Sequence, residues 1–175
     1  LLELIGAPII GCGALSSALC MDKDRSHKLA ALAGVRVPRG RLFRRGDDAG
    51  EIARAAEALG YPLFVKPVRS GSSFGVSRVA VAEFQVEGGF IDYGEKYADG
   101  GTLRIYCPAR IPPEKATEIQ ETAKRIYRCL DCRVFARVDL FLTPWGELVF
   151  NEVNTIPGCT PHSCYPGMMQ AIGLD

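Results

Sequence analysis

The sequence predicts an α+β or α/β protein built as two subdomains meeting at a cleft. Three observations carry this. Helix-like and strand-like segments alternate along the chain, the last organised unit is a hairpin, and 47% of the 175 residues are apolar, enough for one ordinary core or two small ones. The net charge is +1 with both signs interspersed, so no nucleic-acid partner and no membrane surface is marked.

Residues 1–21 are apolar enough to resemble a signal peptide or a membrane helix. Glu3 stands where a positive n-region belongs, however, and Gly6, Pro8, Gly11 and Gly13 interrupt any helix of membrane-spanning length. The segment reads instead as a buried strand followed by a short helix, with a cytoplasmic location. Asp22 is placed to N-cap a helix whose apolar positions Leu29, Leu32 and Ala33 recur at helical spacing, and Gly34 stops it. A second helix is expected over 47–59, closed by Gly60 and Pro62. Residues 63–66 read as a short strand entering the loop Arg69-Ser-Gly-Ser-Ser-Phe-Gly75, and 76–81 as the strand leaving it.

Residues 88–101 show no period and read as a loop carrying Tyr93, Lys96 and Tyr97. Pro112 and Pro113 then open an amphipathic helix with Ala116, Ile119, Ala123, Ile126, Tyr127 and Leu130 on one face. Strands over 133–142 and 147–154 follow, joined by the turn Thr143-Pro-Trp-Gly146. The seven cysteines are scattered and read as reduced thiols. Cys129-Leu-Asp-Cys132 has redox or zinc spacing, but no second such pair exists and His27 and His162 are the only histidines, so core or surface thiols are the expectation.

In the first strand of the hairpin Arg137 and Asp139 share one face, opposite Ala136, Val138, Leu140 and Leu142. With Pro144 and Trp145 as central turn residues, Leu142 would face Glu147, Arg137 would face Glu152 and Asp139 would face Phe150. Glu152 and Asn154 then join the charged face. Cross-strand neighbours lie roughly 4.5–8 Å apart, a scale that lets two carboxylates and an amide oxygen share hard cations. Such oxygen ligands suit Mg²⁺, and an arginine among them would stabilise charge on a phosphoryl group or tetrahedral intermediate. The alternative is a surface ion pair between Arg137 and Glu152. Residues 154–163 turn sharply beyond the strand and would present backbone N–H groups and small hydroxyls for a carboxylate or oxyanion.

These residues resemble a known family. Met21-Asp-Lys23, Val65-Lys-Pro67, Arg69-Ser-Gly-Ser-Ser-Phe-Gly75, Asp92-Tyr-Gly-Glu-Lys-Tyr97, Phe135-Ala-Arg-Val-Asp139, Phe150-Asn-Glu-Val-Asn-Thr-Ile-Pro-Gly158 and Thr160-Pro-His-Ser163 are similar, in the same order, to the motifs of D-alanine–D-alanine ligases, especially the branch that includes vancomycin-resistance ligases. The resemblance implies an α+β ATP-grasp fold, two subdomains around an ATP cleft, with residues 1–20 a remnant of the N-terminal domain, 21–84 an incomplete lid subdomain and 85–175 the catalytic subdomain. It implies an ATP-dependent ligase that joins two D-alanines through an acyl phosphate for peptidoglycan precursors. A D-alanine–D-serine ligase is the alternative.

By the same resemblance Asp139, Glu152 and Asn154 hold two Mg²⁺ ions, with Mn²⁺ as a substitute, and Lys23 and Lys66 contact ATP phosphates. Ser72 and Ser73 belong to the loop closing over those phosphates, and Lys96 and Tyr97 to the loop that shields the reaction. Arg137 and the Gly158 N–H stabilise the tetrahedral intermediate, while Ser163 grips the carboxylate of the second amino acid and Cys164 stands beside it, where many resistance-type relatives carry arginine. ATP and D-alanine are the implied partners, and a homodimer the implied assembly.

Two departures stand out. The family's N-terminal domain is represented by residues 1–20 at most, and Phe84 passes into Gln85 where relatives carry further lid elements. A catalytically impaired ATP-grasp fragment is therefore a further expectation, beside an ATP-grasp ligase outside cell-wall synthesis, against which the 157–163 segment argues.

Overall fold

The computed structural model describes residues 3–60, 63, 65, 66, 68, 82–85, 104–160 and 163–173. Its organising unit is the antiparallel hairpin of β3 (Arg137–Leu142) and β4 (Leu148–Asn154). Ahead of it run a short 3-10 turn (Glu3–Ile5), α1 (Ala14–Met21), α2 (Lys23–Leu32), α3 (Ala49–Leu59), β1 (Glu83–Gln85), β2 (Arg104–Tyr106) and α4 (Pro113–Cys129); α5 (Cys164–Gln170) follows.

The hairpin turn has Pro144 and Trp145 at its centre, with Gly146 N–H donating to the Thr143 carbonyl at 2.9 Å. Gly146 itself adopts φ +82°, a left-handed conformation that glycine enters without a Cβ clash. That extra residue moves the register by one: Thr143 N–H bonds the Glu147 carbonyl at 2.9 Å, and Leu142 pairs with Leu148 rather than with Glu147. A second irregularity falls between Asp139 and Leu140. Leu140 pairs with Phe150 but Asp139 pairs with Glu152, leaving Asn151 as the bulged residue.

The pairs expected from a simple two-residue turn, Arg137 with Glu152 and Asp139 with Phe150, are thus corrected to Arg137 with Asn154 and Asp139 with Glu152. Each shift alone would turn the side chains of β4 to the opposite face, because the side-chain period of a strand is two. Together they restore the expected faces of Glu152 and Asn154, while Leu148 and Phe150, which lie between the two shifts, turn to the core face instead.

On the core face, Phe150 and Val153 are buried against Ile126 and Leu130 at the end of α4, Cys20 of α1, Ala30 of α2, and Val35 and Cys132 from loops, with Val138 and Leu140 packed at the margin. One cluster therefore draws on residues on either side of position 20 and on both the N-terminal helices and the hairpin. His27 of α2 meets the Phe150 ring edge-on at 5.3 Å. Lys115 of α4 donates to the Gly146 carbonyl at 2.8 Å, tying the helix to the turn.

The helix signals act as expected. The Asp22 carboxylate accepts from Arg25 N–H at 3.1 Å, satisfying an N-terminal donor of α2, and Asp48 does the same for α3 through Glu51 N–H at 2.9 Å. Strand expectations fared worse. No strand precedes α1 among the described residues, and Ile10 is 83% exposed there. Residues 63, 65 and 66 are not in a strand either, and Val65 is solvent-exposed. A pair with no sequence signature, β1 with β2, forms instead across the Phe84–Gln85 step, where Phe84 pairs with Ile105. The expected strand over 76–81 and the loops at 69–75 and 88–101 lie outside the described residues.

Phe150→Ala should lower the unfolding free energy by about 3–5 kcal/mol, and Asp22→Ala by about 1 kcal/mol, in urea denaturation. A change below ~1 kcal/mol for Phe150→Ala would contradict the assignment of the hairpin's core face.

Candidate active site

The charged face of the hairpin is built by the bulge. With Asn151 looped out, Glu152 and Asn154 point the same way as Asp139 and Arg137, and each stands opposite its partner: Glu152 across from Asp139, Asn154 across from Arg137. The bulge is held from two sides. His27 Nε2 donates to the Asn151 carbonyl at 2.6 Å, and Lys66 Nζ donates to Asn151 Oδ1 at 3.2 Å.

Within the face, Arg137 donates from Nε and Nη2 to the two carboxylate oxygens of Asp139, each at 2.7 Å, a two-point contact that fixes the guanidinium plane. Its Nη1 reaches Cys164 Sγ at 3.9 Å. Burial works against the guanidinium charge, but the hydrogen bonds and charge of Asp139, aided by Cys164 and Glu152, hold its pKa above the ordinary value. Lys23, the first residue of α2, forms an ion pair with Glu152 Oε2 at 3.2 Å. Its backbone N–H donates to the Val68 carbonyl at 3.0 Å. Asn154 and Thr155 are buried at the end of β4.

Beyond β4 the chain folds so that a Cβ on Gly158 would lie 2.6 Å from Ser163 Oγ, a separation only glycine leaves open. Ser163 Oγ also accepts from Thr160 N–H at 3.2 Å and lies 2.9 Å from Thr160 Oγ1. Phe135 and Tyr165 stack at 6.5 Å between centroids, linking the approach to β3 with α5.

The structure thus brings together Lys23, Lys66, Arg137, Asp139, Glu152, Asn154 and Cys164 around one end of the hairpin, and sets Gly158 against Ser163 in the turn that follows. Ser72, Ser73, Lys96 and Tyr97 lie outside the described residues. Sequence reasoning missed Asn151 and His27. The signal for the bulge is present in β4: buried Leu148 and Phe150 are two apart, but the next buried residue, Val153, is three further on.

Two carboxylates and an amide oxygen on one face form a donor set suited to a hard divalent cation that completes its shell with water and phosphate oxygens. Among the described residues no group of three His, Cys, Asp or Glu side chains is placed to hold a metal by itself. No helix among them is long and apolar enough to cross a membrane.

The family description "D-ala D-ala ligase C-terminus" matches residues 29–85 and 78–175. The chain belongs to the D-alanine–D-alanine ligase family. Its fold is accordingly the α+β ATP-grasp fold. Among ligase-family relatives, the vancomycin B-type resistance protein VanB of Enterococcus faecalis is 37% identical over 222 aligned positions, covering 99% of this chain and 64% of VanB. D-alanine–D-alanine ligase A of Chromobacterium violaceum is 34% identical over 220, covering the whole chain and 60% of that ligase. The crystal structure of the VanG D-Ala:D-Ser ligase from E. faecalis superposes with a TM-score of 0.83 at 42% identity, covering 99% of this chain and 63% of that one.

The chain therefore spans less than two thirds of these ligases' lengths. The alignments also run over more positions than the 175 residues present, so relatives carry positions with no counterpart here, and the family match breaks into two pieces that meet at 78–85. That is the region of the Phe84–Gln85 junction.

Gly158→Ala should displace the Ser163 hydroxyl from Thr160. Each of Gly158→Ala and Ser163→Ala should cost about 1 kcal/mol in urea denaturation, and the double variant little more than either. Full additivity would show that Gly158 and Ser163 are not in contact.

Proposed function

We propose that this chain is an ATP-dependent ligase that joins two D-alanines into D-alanyl-D-alanine for peptidoglycan precursors in the cytoplasm. The observation that carries this reading is the bulged hairpin, which sets Arg137, Asp139, Glu152 and Asn154 on one face with Lys23 and Lys66 at its edge. Family membership gives that face its chemistry.

In this reading Asp139, Glu152 and Asn154 hold two Mg²⁺ ions, which neutralise phosphoryl charge when bound. Lys23 and Lys66 contact ATP phosphates, together with Ser72, Ser73 and Lys96. A carboxylate oxygen of the first D-alanine attacks the γ-phosphorus of ATP, the bond from that phosphorus to the β,γ-bridging oxygen breaks, and ADP leaves. The amine nitrogen of the second D-alanine then attacks the acyl carbon, the carbon–oxygen bond to phosphate breaks, and the amine loses a proton. Arg137 and the Gly158 N–H stabilise the oxyanion of the tetrahedral intermediate. Ser163 orients the carboxylate of the second substrate beside Cys164, and Lys96 and Tyr97 exclude water that would hydrolyse the acyl phosphate.

Pairing of Arg137 with Asp139 and of Lys23 with Glu152 is compatible with this chemistry, since each cation exchanges its carboxylate for phosphoryl or oxyanion charge as substrates enter. The units 1–20, 21–84 and 85–175 remain the assignment to N-terminal remnant, lid and catalytic subdomain, with ATP held between the last two. D-Serine as second substrate is the other reading, favoured by the 42% identity to the VanG ligase.

Phosphate release from MgATP measures the reaction, with D-alanine alone and with D-serine or D-lactate added. Because relatives carry extra positions near 78–85 and are longer than this chain, turnover by the 175-residue chain should be weak, and a version restored with a relative's segment there and a relative's N-terminal domain should turn over readily. In that version Arg137→Ala should lower kcat by roughly 10²–10³-fold and Asp139→Asn should abolish turnover, with circular dichroism unchanged. No D-alanine-dependent release from the restored version would remove the ligase assignment.

A further inference from the structure

The motif Cys129-Leu-Asp-Cys132 takes no part in the site above, and the structure separates its two thiols. Cys129 Sγ turns back to the Ile126 carbonyl at 3.3 Å, as the last residue of α4. Cys132 instead points into the core, where its sulfur lies 3.7 Å from that of Cys20 at the end of α1. Both are buried. Ser16 donates its hydroxyl to Cys132 Sγ at 3.6 Å and lies 4.0 Å from Cys20 Sγ. Cys12, half-buried, completes the group, with its sulfur accepting from Arg133 N–H at 3.3 Å.

Three thiols near one another suggest a soft-metal site, but among the described residues no three such side chains have a metal-holding arrangement. What the geometry offers is a pair. We propose that Cys20 and Cys132 form a reversible disulfide that staples α1 to the loop preceding β3. With hydrogen peroxide as oxidant, two thiols and one peroxide give one disulfide and two waters: a thiolate sulfur attacks a peroxide oxygen and hydroxide leaves, and the second sulfur then displaces hydroxide from the resulting sulfenic acid. A thiol reductant reverses the step by exchange.

The hydrogen bond between the two sulfurs lowers the pKa of Cys20 and, with burial, raises that of Cys132. The staple joins points close to the active site in sequence. Cys20 precedes Lys23, which pairs with Glu152, and Cys132 precedes Arg137, which pairs with Asp139. Closing a bond between segments so distant in the chain restricts the unfolded ensemble and stabilises the folded one.

The test treats the 175-residue protein with graded hydrogen peroxide, blocks remaining thiols with N-ethylmaleimide and maps peptides by mass spectrometry. The expected result is loss of two of the seven free thiols, a Cys20–Cys132 linked peptide that dithiothreitol removes, and a melting midpoint roughly 5–10 °C above that of the reduced protein. Cys129→Ser should leave the link intact and Cys20→Ser should abolish it; wild-type mapping decides the matter even if Cys20→Ser fails to fold. A Cys129–Cys132 or Cys12–Cys132 link in its place, no thiol loss, or a linked protein that melts no higher than the reduced one would each overturn the proposal.

Discussion

The charged face of this protein depends on one surplus residue. Asn151 stands outside the ladder between β3 and β4, and without it the register set by the hairpin turn would bring Glu152 opposite Val138, on the face that packs against α4. A carboxylate there would face Ile126 and Leu130, an apolar setting in which an unpaired charge is unfavourable by several kcal/mol or more. The bulge resolves the conflict by letting Val153 return to the core while Glu152 and Asn154 turn to the face shared with Asp139 and Arg137. Its cost, an unpaired stretch of backbone, is offset by the hydrogen bond from His27 to the Asn151 carbonyl, and Phe150 N–H, one residue earlier, finds the Arg36 carbonyl at 2.9 Å.

The same arrangement explains why α2 sits where it does. Asp22 caps its first turn, Lys23 opens it and reaches Glu152, and His27, one turn on, reaches the bulge. The helix that supports the core through Ala30 also supplies a cation to the charged face, so packing and electrostatics share one element. Half-buried ion pairs of this kind hold side chains in register more than they add to stability. For the proposed phosphate-binding role, that is the useful property: cations already present and already oriented.

Much of this was legible in the sequence and some was not. Asp22, Gly34 and Gly60 announced helix ends through capping chemistry that acts locally, and Pro113 with the Ala123, Ile126 and Leu130 spacing announced α4; the cap of α3 falls on Asp48, one residue beyond the expected start. Arg137, Asp139, Glu152 and Asn154 were correctly gathered on one face, but through pairings that were not correct, because the positive φ of Gly146 and the bulge at Asn151 each shift the register by one and cancel only beyond the bulge; Phe150, expected opposite Asp139, lies in the core. The three-residue gap between Phe150 and Val153 carried the information. The strand expected before α1 failed because an apolar run alone does not distinguish a strand from exposed irregular chain, and β1 with β2 went unseen because three-residue strands leave no period to detect. The Cys20–Cys132 contact joins residues far apart in the chain and has no local signature at all.

The register of β3 on β4 is the claim on which the site stands, and cross-strand nuclear Overhauser contacts in the labelled protein measure it directly. Contacts between Asp139 and Glu152, between Arg137 and Asn154 and between Leu140 and Phe150 are the expected pattern. Contacts between Arg137 and Glu152 and between Asp139 and Phe150 would show an unbulged hairpin, and contacts between Val138 and Glu152 would place the carboxylate on the core face; either pattern contradicts the account.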